Sequence, residues 1–368
     1  MTRVRPAVRD DVALMAGYHS AQVEVDVRLN TNEAPGPPPA ALTEALAELV
    51  ATFEWNRYPD RAAAELRSAI ASLHDVEVEQ VFAANGSNEV LYTVLHAYGG
   101  AGRRALTFEP TYALHGHLSR LAGTTTVEVA RDEAFAIDIE VAGAAIDAEQ
   151  PDLVFLCSPN NPTGVADPPE LIAAILERVE GYGGLLVVDE AYGQFADHSA
   201  IELLGPDRNL LVTRTFSKTW AMAALRLGYV LGPEPLIDEL HKVSLPYHLD
   251  VFTQAAGRLA LGYVAEMEQR VQELVTERGR LAEALGSLPV DVWPSQANFI
   301  LFRPHSGDGA ALWQRLVDQS VLVRDCSSWP RLDGCLRVTV GTPREDDRFL
   351  DALRRCLSSP SDSTKDQP

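Results

Sequence analysis

The chain has 368 residues, a hydrophobic fraction of 46% and a formal net charge of −21. At roughly 100–200 residues per domain this length predicts two domains, and the negative charge argues against a nucleic-acid partner. No apolar run approaches the roughly 18 residues of a membrane span and the N-terminus has no signal-peptide pattern, so we expect a cytoplasmic protein with no membrane partner.

The predicted elements alternate between helices and strands from about residue 40, after an irregular, proline-rich start that we interpret as an arm, not a packed element. Apolar residues at helical spacing predict helices over 39–50, 62–73, 89–98 and 168–180. Short apolar runs predict strands within 104–109, 125–130, 152–158, 184–191, 209–216 and 227–232. Because several runs lack polar alternation and helices separate them, they predict a mostly parallel sheet covered on both faces.

Residues 264–285 predict one long amphipathic helix that can join two domains. Its apolar side is formed by Met267, Val271, Leu274, Val275, Arg278, Leu281 and Leu285. The strand-like runs 297–302 and 335–341 follow it and suggest a smaller α+β unit. We therefore predict an N-terminal arm with part of the smaller domain over 1–45, a large domain over 46–265, a smaller domain over 266–357 and a disordered tail over 358–368.

Lys218 lies between the apolar run 209–216 and another mostly apolar stretch. By itself this position favours a lysine whose stem is buried and whose amine reaches water. A lysine in apolar surroundings also loses its proton more easily, and the neutral amine can attack a carbonyl carbon. The other motifs of the chain favour this second role.

Asp189 ends the buried run "GLLVVD", where an uncompensated carboxylate is costly and needs a cationic partner or strong donors. It can belong to a local ion pair, or it can keep a pyridine nitrogen protonated so that the ring accepts electrons. Asn161 lies in "SPNNPTG", after another predicted strand. The segment can be an ordinary turn, or Asn161 can donate its side-chain amide to a phenolate oxygen.

Two segments supply groups that can bind a phosphate. Gly86, Ser87 and Asn88 come just before a predicted helix, and small residues there leave backbone N–H groups available to an anion. An ordinary helix cap has the same pattern. Near Lys218, hydroxyls and a guanidinium are provided by Thr215, Ser217 and Arg226.

In their order and spacing, "SPNNPTG", "VVDEAY" and "TFSK" with an arginine eight residues later resemble the fold-type-I pyridoxal-phosphate aminotransferases. The resemblance covers nearly the whole chain. It implies an α/β fold, with a mostly parallel seven-stranded sheet in a large domain and a smaller α+β domain. It also implies pyridoxal 5'-phosphate as the cofactor.

The same resemblance assigns roles to residues. Lys218 would bond covalently to the cofactor and act as the catalytic base. Asp189 would pair with the ring nitrogen, while Tyr192 and Asn161 would contact the phenolic oxygen. Tyr112 would stack on the ring. The cofactor phosphate would be held by the segment from Gly86 to Asn88, which includes Ser87, and by Thr215, Ser217 and Arg226.

Within this family the chain most resembles the histidinol-phosphate aminotransferases, through "GYHSAQ", "VRLNTNEAP", "NRYPD", "VLVRD" and "CLRVTVGT". The implied reaction is transfer of the amino group of histidinol phosphate to 2-oxoglutarate, in histidine biosynthesis. Arg324 and Arg337, with Tyr18, would bind the substrate phosphate, and the arginines would bind a carboxylate of glutamate in the other half-reaction. Asn32 would also belong to the substrate-binding residues. Tyr58 would reach the cofactor phosphate of a neighbouring subunit, which implies a homodimer with shared active sites.

Other interpretations stay open. An aromatic amino-acid aminotransferase or a threonine-phosphate decarboxylase can use the same scaffold, and a non-catalytic protein that binds pyridoxal phosphate is a remoter alternative. The chain departs from the family at Ser87-Asn88, where Ala-Asp is usual, and in the shortened segment "NEAPGPPP". Either arginine can instead form a surface ion pair. His115 and His117 point apart on a predicted helix and the four cysteines lack zinc-like spacing, so we expect no metal.

Overall fold

The computed structural model describes residues 6–13 and 21–358. The α-helices in these ranges are α1 (Asp10–Ala13), α2 (Ala40–Val50), α3 (Ala64–His74), α4 (Gly86–Tyr98), α5 (Leu114–Leu121), α6 (Ile139–Glu149), α7 (Pro169–Glu180), α8 (Glu234–Val243), α9 (Val251–Ala260), α10 (Val264–Gly286), α11 (Gly309–Asp318) and α12 (Pro343–Ser358). The strands are β1 (Val27–Leu29), β2 (Val81–Ala84), β3 (Arg104–Glu109), β4 (Thr125–Ala130), β5 (Leu153–Cys157), β6 (Leu185–Asp189), β7 (Leu210–Thr215), β8 (Gly228–Leu231), β9 (Val290–Val292), β10 (Phe299–Pro304), β11 (Val321–Asp325) and β12 (Leu336–Thr339).

A seven-stranded sheet forms the larger part of the molecule, in the order β2-β8-β7-β6-β5-β3-β4. Its strands pair in parallel except at β8, which is antiparallel to both β2 and β7. Helices cover both faces: α4 and α8 pack on one hydrophobic cluster, and α6 and α7 pack on the other. The predicted α/β architecture with a mostly parallel sheet is confirmed. Burial on both faces explains why β5 and β6 are continuously apolar.

The smaller sheet has five strands in the order β1-β11-β12-β10-β9. Its first strand comes from the N-terminal segment, since β1 runs parallel to β11 with Val27 opposite Val321. Val27 and Leu29 are buried, so the interpretation of this segment as an unpacked arm is wrong for these residues. A three-residue strand is too short to show a period, and its partner lies far along the chain.

Helix α10 connects the hydrophobic cores of the two sheets. Met267 and Leu274 pack into the cluster beneath the larger sheet, whereas Leu281 and Leu285 pack into the cluster of the smaller sheet. Of the predicted apolar side of this helix, Val275 and Arg278 are partly buried and the other five residues are buried. Because one helix belongs to both cores, the domain boundary near 265 stays a prediction.

The other predicted helices correspond to α2, α3, α4 and α7 to within three residues at each end. Strand β2 was not predicted, since four residues bounded by a turn give little pattern. Within the described ranges, no helix is both long enough and apolar enough to cross a membrane.

Candidate active site

A cavity of about 420 Å³ lies at the carboxyl ends of β5, β6 and β7 and is lined by residues of both sheets. Parallel strands bring their last residues to one edge, which is where open α/β sheets form binding sites. The predicted site residues that line it are Asn32, Ser87, Asn88, Tyr112, Asn161, Asp189, Tyr192, Thr215, Ser217, Lys218, Arg226, Arg324 and Arg337. Segments that are distant in the sequence thus meet around one space.

The Lys218 side chain enters this cavity just after β7. Its Nζ donates a hydrogen bond to the Thr31 carbonyl oxygen at 3.1 Å and lies 5.7 Å from the centre of the Tyr192 ring. Burial lowers the pKa of Lys218 to about 7, and the positive charges of Arg337 and Arg226 act in the same direction, while Glu33 opposes them. Much of the amine is therefore neutral near pH 7 and available as a nucleophile or base.

Asp189, the last residue of β6, is 1% exposed and has three polar neighbours. His115 Nε2 lies 3.0 Å from Oδ2, while Thr213 Oγ1 and the Ala191 N–H donate to Oδ1 at 3.2 and 3.1 Å. His115 is itself fully buried and stacks on Phe155. The expected strong donors are present, and they hold the carboxylate in one orientation.

The contact between His115 and Asp189 was not anticipated from the sequence, where His115 was weighed only as a metal ligand. Its ring also meets the Tyr112 ring edge-to-face, with 5.6 Å between the ring centres. At the start of a helix, a histidine three residues after an active-site tyrosine faces the same side as that tyrosine. That spacing was the signal that could have revealed it.

The first turn of α4 offers an anion site. Asn85 precedes the helix but makes no hydrogen bond from its side chain to the first-turn N–H groups. Ser87 and Asn88 of this turn line the cavity, and the helix dipole adds positive potential there.

Hydroxyl groups and a guanidinium from the end of β7 and the segment after it complete this anion site. Thr215 Oγ1 donates to Ser217 Oγ at 3.0 Å, and Arg226 Nη1 donates to the same oxygen at 3.2 Å. Together with the first turn of α4 these groups form what we call the anion cup, defined by Gly86, Ser87, Thr215, Ser217 and Arg226.

Two glycines make the anion cup possible. Gly86 has a φ of 80°, and a Cβ atom there would lie 2.8 Å from Arg226 Nη2. At Gly228, the first residue of β8, a Cβ atom would collide with the backbone of Gly86 and Ser87. Gly228 was not predicted as a site residue. Its role depends on a close approach between β8 and α4 that no local pattern reports.

Arg337, in β12, is buried and holds Asn161 and the Asn30 carbonyl group in place. Its Nη1 donates to Asn161 Oδ1, and its Nη2 donates to the Asn30 carbonyl oxygen at 3.0 Å. Asn32 Nδ2 donates to the Tyr192 hydroxyl at 2.9 Å. Burial raises the pKa of Tyr192 well above its usual value, so the phenol stays protonated.

Arg324 and Arg337 face each other across the antiparallel pair β11–β12. The Arg324 guanidinium lies over the Trp329 ring at 5.1 Å, and that of Arg337 lies over the Phe299 ring at 5.0 Å. Stacking on rings holds planar guanidinium groups in place. The two arginines thus give the cavity a second positively charged wall, which we call the second anion-binding wall.

Of the predicted residues that the structure describes, Tyr58 and Gly86 are not among those that line the cavity. The Tyr58 side chain is outside it and is 80% exposed, with its ring stacked on that of Tyr247 at 4.6 Å. Tyr18 lies outside the described residues.

The comparisons with known proteins agree with this geometry. The model of the aminotransferase class I and II family matches residues 24–353. The histidinol-phosphate aminotransferase of Frankia casuarinae is 45% identical over 363 residues, which cover 95% of this chain and 90% of that protein. The enzyme of the same name from Corynebacterium diphtheriae is 43% identical over 357 residues, or 94% of this chain and 95% of that one.

A solved structure of histidinol-phosphate aminotransferase from Sinorhizobium meliloti, in complex with pyridoxal-5'-phosphate, superposes with a TM-score of 0.83. The superposition covers 90% of this chain and 91% of that one, at 23% identity. At that identity the likeness shows the fold.

Proposed function

The chain belongs to the class I and II aminotransferases, and from that premise we propose that it transfers the amino group of histidinol phosphate to 2-oxoglutarate. The products are imidazole-acetol phosphate and glutamate, and the reaction is a step of histidine biosynthesis. The observation that carries the proposal is the Lys218 amine, with its pKa lowered to about 7, in one cavity with the buried Asp189 carboxylate. The two relatives above 40% identity that bear this activity in their names support the substrate.

The cavity residues fit pyridoxal 5'-phosphate as the cofactor. The anion cup has the charge for a phosphate, because the absence of a side chain at Gly86 lets the Arg226 guanidinium approach the start of α4 closely. Asp189 is a buried carboxylate that can face a protonated ring nitrogen, and the Tyr112 ring lines the same cavity. When bound, pyridoxal phosphate supplies an aldehyde that condenses with amines and a ring that accepts an electron pair.

The side chains of this chain then divide the work. Lys218 would hold the cofactor and would take the proton from the substrate carbon that carries the amine. Asp189, held by His115, would keep a proton on the pyridine nitrogen, which makes the ring a better electron acceptor. Asn161 and Tyr192 would donate to the phenolic oxygen.

The second anion-binding wall recognises the substrate. Arg324 and Arg337 present two planar guanidinium groups, and each can bind a phosphate or a carboxylate through paired hydrogen bonds. This property suits an enzyme that must accept a phosphate ester in one half-reaction and a dicarboxylate in the other.

A panel of amino donors tests the proposed function. The purified protein, loaded with pyridoxal phosphate, is assayed with histidinol phosphate, phenylalanine and threonine phosphate, each with 2-oxoglutarate. We expect the highest kcat/KM for histidinol phosphate. A higher value for phenylalanine, or release of carbon dioxide from threonine phosphate, would replace the proposal by the corresponding alternative.

We also propose that the protein is a homodimer in which Tyr58 completes the neighbouring site. The support is its position: it is exposed, stacked on Tyr247 and outside the cavity of its own chain. Refolding Lys218→Ala chains together with Tyr58→Ala chains tests it. A hybrid dimer with Tyr58 acting in the neighbouring site has one intact site, so activity returns.

If Tyr58 acts in its own chain's site, both sites of the hybrid carry one lesion and no activity returns. The Tyr58→Ala homodimer must first be shown to be impaired. Hybrid formation is verified with two affinity tags.

A further inference from the structure

Glu33 is the remaining carboxylate at the cavity. Among the cavity-lining residues that the structure describes, the acidic ones are Asp189 and Glu33. Asp189 is buried and already has three polar neighbours. Glu33 has a half-exposed side chain, and its ion pair with Arg28 at the surface is long, at 3.5 Å. An exposed ion pair of that length contributes little to stability, so the Glu33 carboxylate can exchange Arg28 for a ligand.

The segment that carries Glu33 is fixed to the smaller sheet. The Asn32 N–H donates to Thr339 Oγ1 at 3.0 Å, and Asn298 Nδ2 donates to the Asn32 carbonyl oxygen at 3.2 Å. Asn32 has a φ of 55°, which turns the chain just before Glu33. The carboxylate is therefore presented from a rigid support, as a recognition group must be.

The charges around the cavity leave one part of the substrate without a partner. Histidinol phosphate carries an amine, a phosphate and an imidazole. The amine is directed to Lys218, and the phosphate is directed to Arg324 and Arg337. The imidazole has an N–H to donate, and its cationic form gains from a nearby negative charge. The Glu33 carboxylate supplies both the acceptor and the charge.

We propose that Glu33 is a specificity-determining residue that accepts a hydrogen bond from the imidazole ring of the amino donor. The inference rests on the proposed function, and it names the residue that would distinguish an imidazole ring from other rings. The same charge disfavours a carboxylate at the ring position, so glutamate gains nothing from Glu33. The Glu33 charge also acts on Lys218, since it raises the pKa of Lys218 against the effect of burial.

The test compares two donors that differ only in the ring: histidinol phosphate and phenylalaninol phosphate, whose phenyl ring has no N–H. We expect Glu33→Gln to lower kcat/KM for histidinol phosphate by about tenfold, the low end for a hydrogen bond to a charged group, because the carboxylate is half-exposed. The value for phenylalaninol phosphate should change by less than about twofold, and the value for glutamate should hold or rise.

Glu24→Gln is the matched control. Glu24 lines the neighbouring groove, and its substitution removes the same charge from the same N-terminal segment. It should leave both donors unchanged. Cofactor absorbance of Glu33→Gln at the wild-type level establishes that the variant is folded and loaded.

A parallel loss for both donors, or no loss for histidinol phosphate, overturns the inference while the proposed function stands. Wild-type protein that does not convert histidinol phosphate at all overturns the proposed function, and the inference with it.

Discussion

The two anion-binding walls of the cavity are built in different ways. The anion cup consists mainly of backbone N–H groups and short hydroxyl side chains from two contiguous segments, at the start of α4 and after β7. The opposite wall consists of two long arginines on neighbouring strands of the smaller sheet, each stacked on an aromatic ring. One wall is fixed by its backbone, whereas the other is formed by side chains.

The difference matches what each wall has to bind. A cofactor phosphate is the same in every turnover, and backbone N–H groups at a helix start hold it without any side-chain adjustment. The proposed substrates alternate between a phosphate and a carboxylate, and the planar fork of a guanidinium group can accept either. Rigid recognition of one anion and adaptable recognition of two are thus assigned to separate walls of the cavity.

Removing the residue between the walls should have the largest effect. Lys218→Ala deletes both the nucleophile and the base, so turnover should fall by roughly a thousandfold or more. The anion cup is untouched, so the protein should still bind pyridoxal phosphate, as measured by equilibrium dialysis. Lys242→Ala, at an exposed position on α8, is the control and should be fully active.

Filling the rigid wall should affect the cofactor and not the substrate. In Gly228→Ala, the new methyl group meets the backbone of Gly86 and Ser87 and distorts the anion cup. At about 1–3 kcal/mol for overpacking, cofactor affinity should fall by roughly fivefold to 150-fold. At saturating cofactor the KM for histidinol phosphate should stay near the wild-type value.

Gly262→Ala is a suitable control for that variant, because a Cβ atom there meets no neighbour within 4 Å. Unchanged cofactor affinity in Gly228→Ala would mean that the cup tolerates movement and that its rigidity is not what holds the phosphate.

Weakening the adaptable wall should give the opposite pattern. Arg324→Ala and Arg337→Ala each remove charge-assisted contacts, so binding of histidinol phosphate should weaken by roughly 1.5–3 kcal/mol. Arg337→Ala should be the more severe, since it also leaves the Asn161 and Asn30 oxygens without their donor. Isothermal titration with the substrate and, separately, with pyridoxal phosphate distinguishes the two walls. An equal loss of cofactor affinity would contradict their separation.

The smallest effect should be a shift in the titration of Lys218. The positive charge of Arg337 lowers the pKa of Lys218, so Arg337→Met should raise that pKa. A raised pKa leaves less neutral amine at pH 7, and acylation of Lys218 in the cofactor-free protein should slow at that pH. Peptide mapping across a pH series measures it. A pKa that stays near 7 would mean that the charge of Arg337 does not contribute to it.

The rigid wall was largely predictable from the sequence, and the adaptable wall was not. Ser217, Lys218 and Arg226 lie close together in the chain after an apolar run, and together with the other motifs of the chain they predicted one site. Arg324 was identified only through a family resemblance, because nothing local separates it from a surface ion-pair partner.

Contacts between distant segments account for what the sequence did not reveal. His115 meets Asp189 across 74 residues, and strand β1 finds its partner in β11. Gly228 matters only because β8 passes close to α4. In each case the residue type is ordinary, and its role depends on a neighbour that the fold supplies.

The pairing of β1 with β11 also has a consequence for synthesis of the chain. The N–H of Asp26, next to β1, donates a hydrogen bond to Oγ of Ser320, next to β11. These two residues are 294 positions apart in the chain. At about 5–20 residues per second, a ribosome needs roughly 15–60 s to deliver the second after the first. During that time the larger sheet can assemble, while the N-terminal strand, with Asn32 and Glu33, has nothing to pair with. The substrate side of the cavity is therefore among the last parts of the molecule to form.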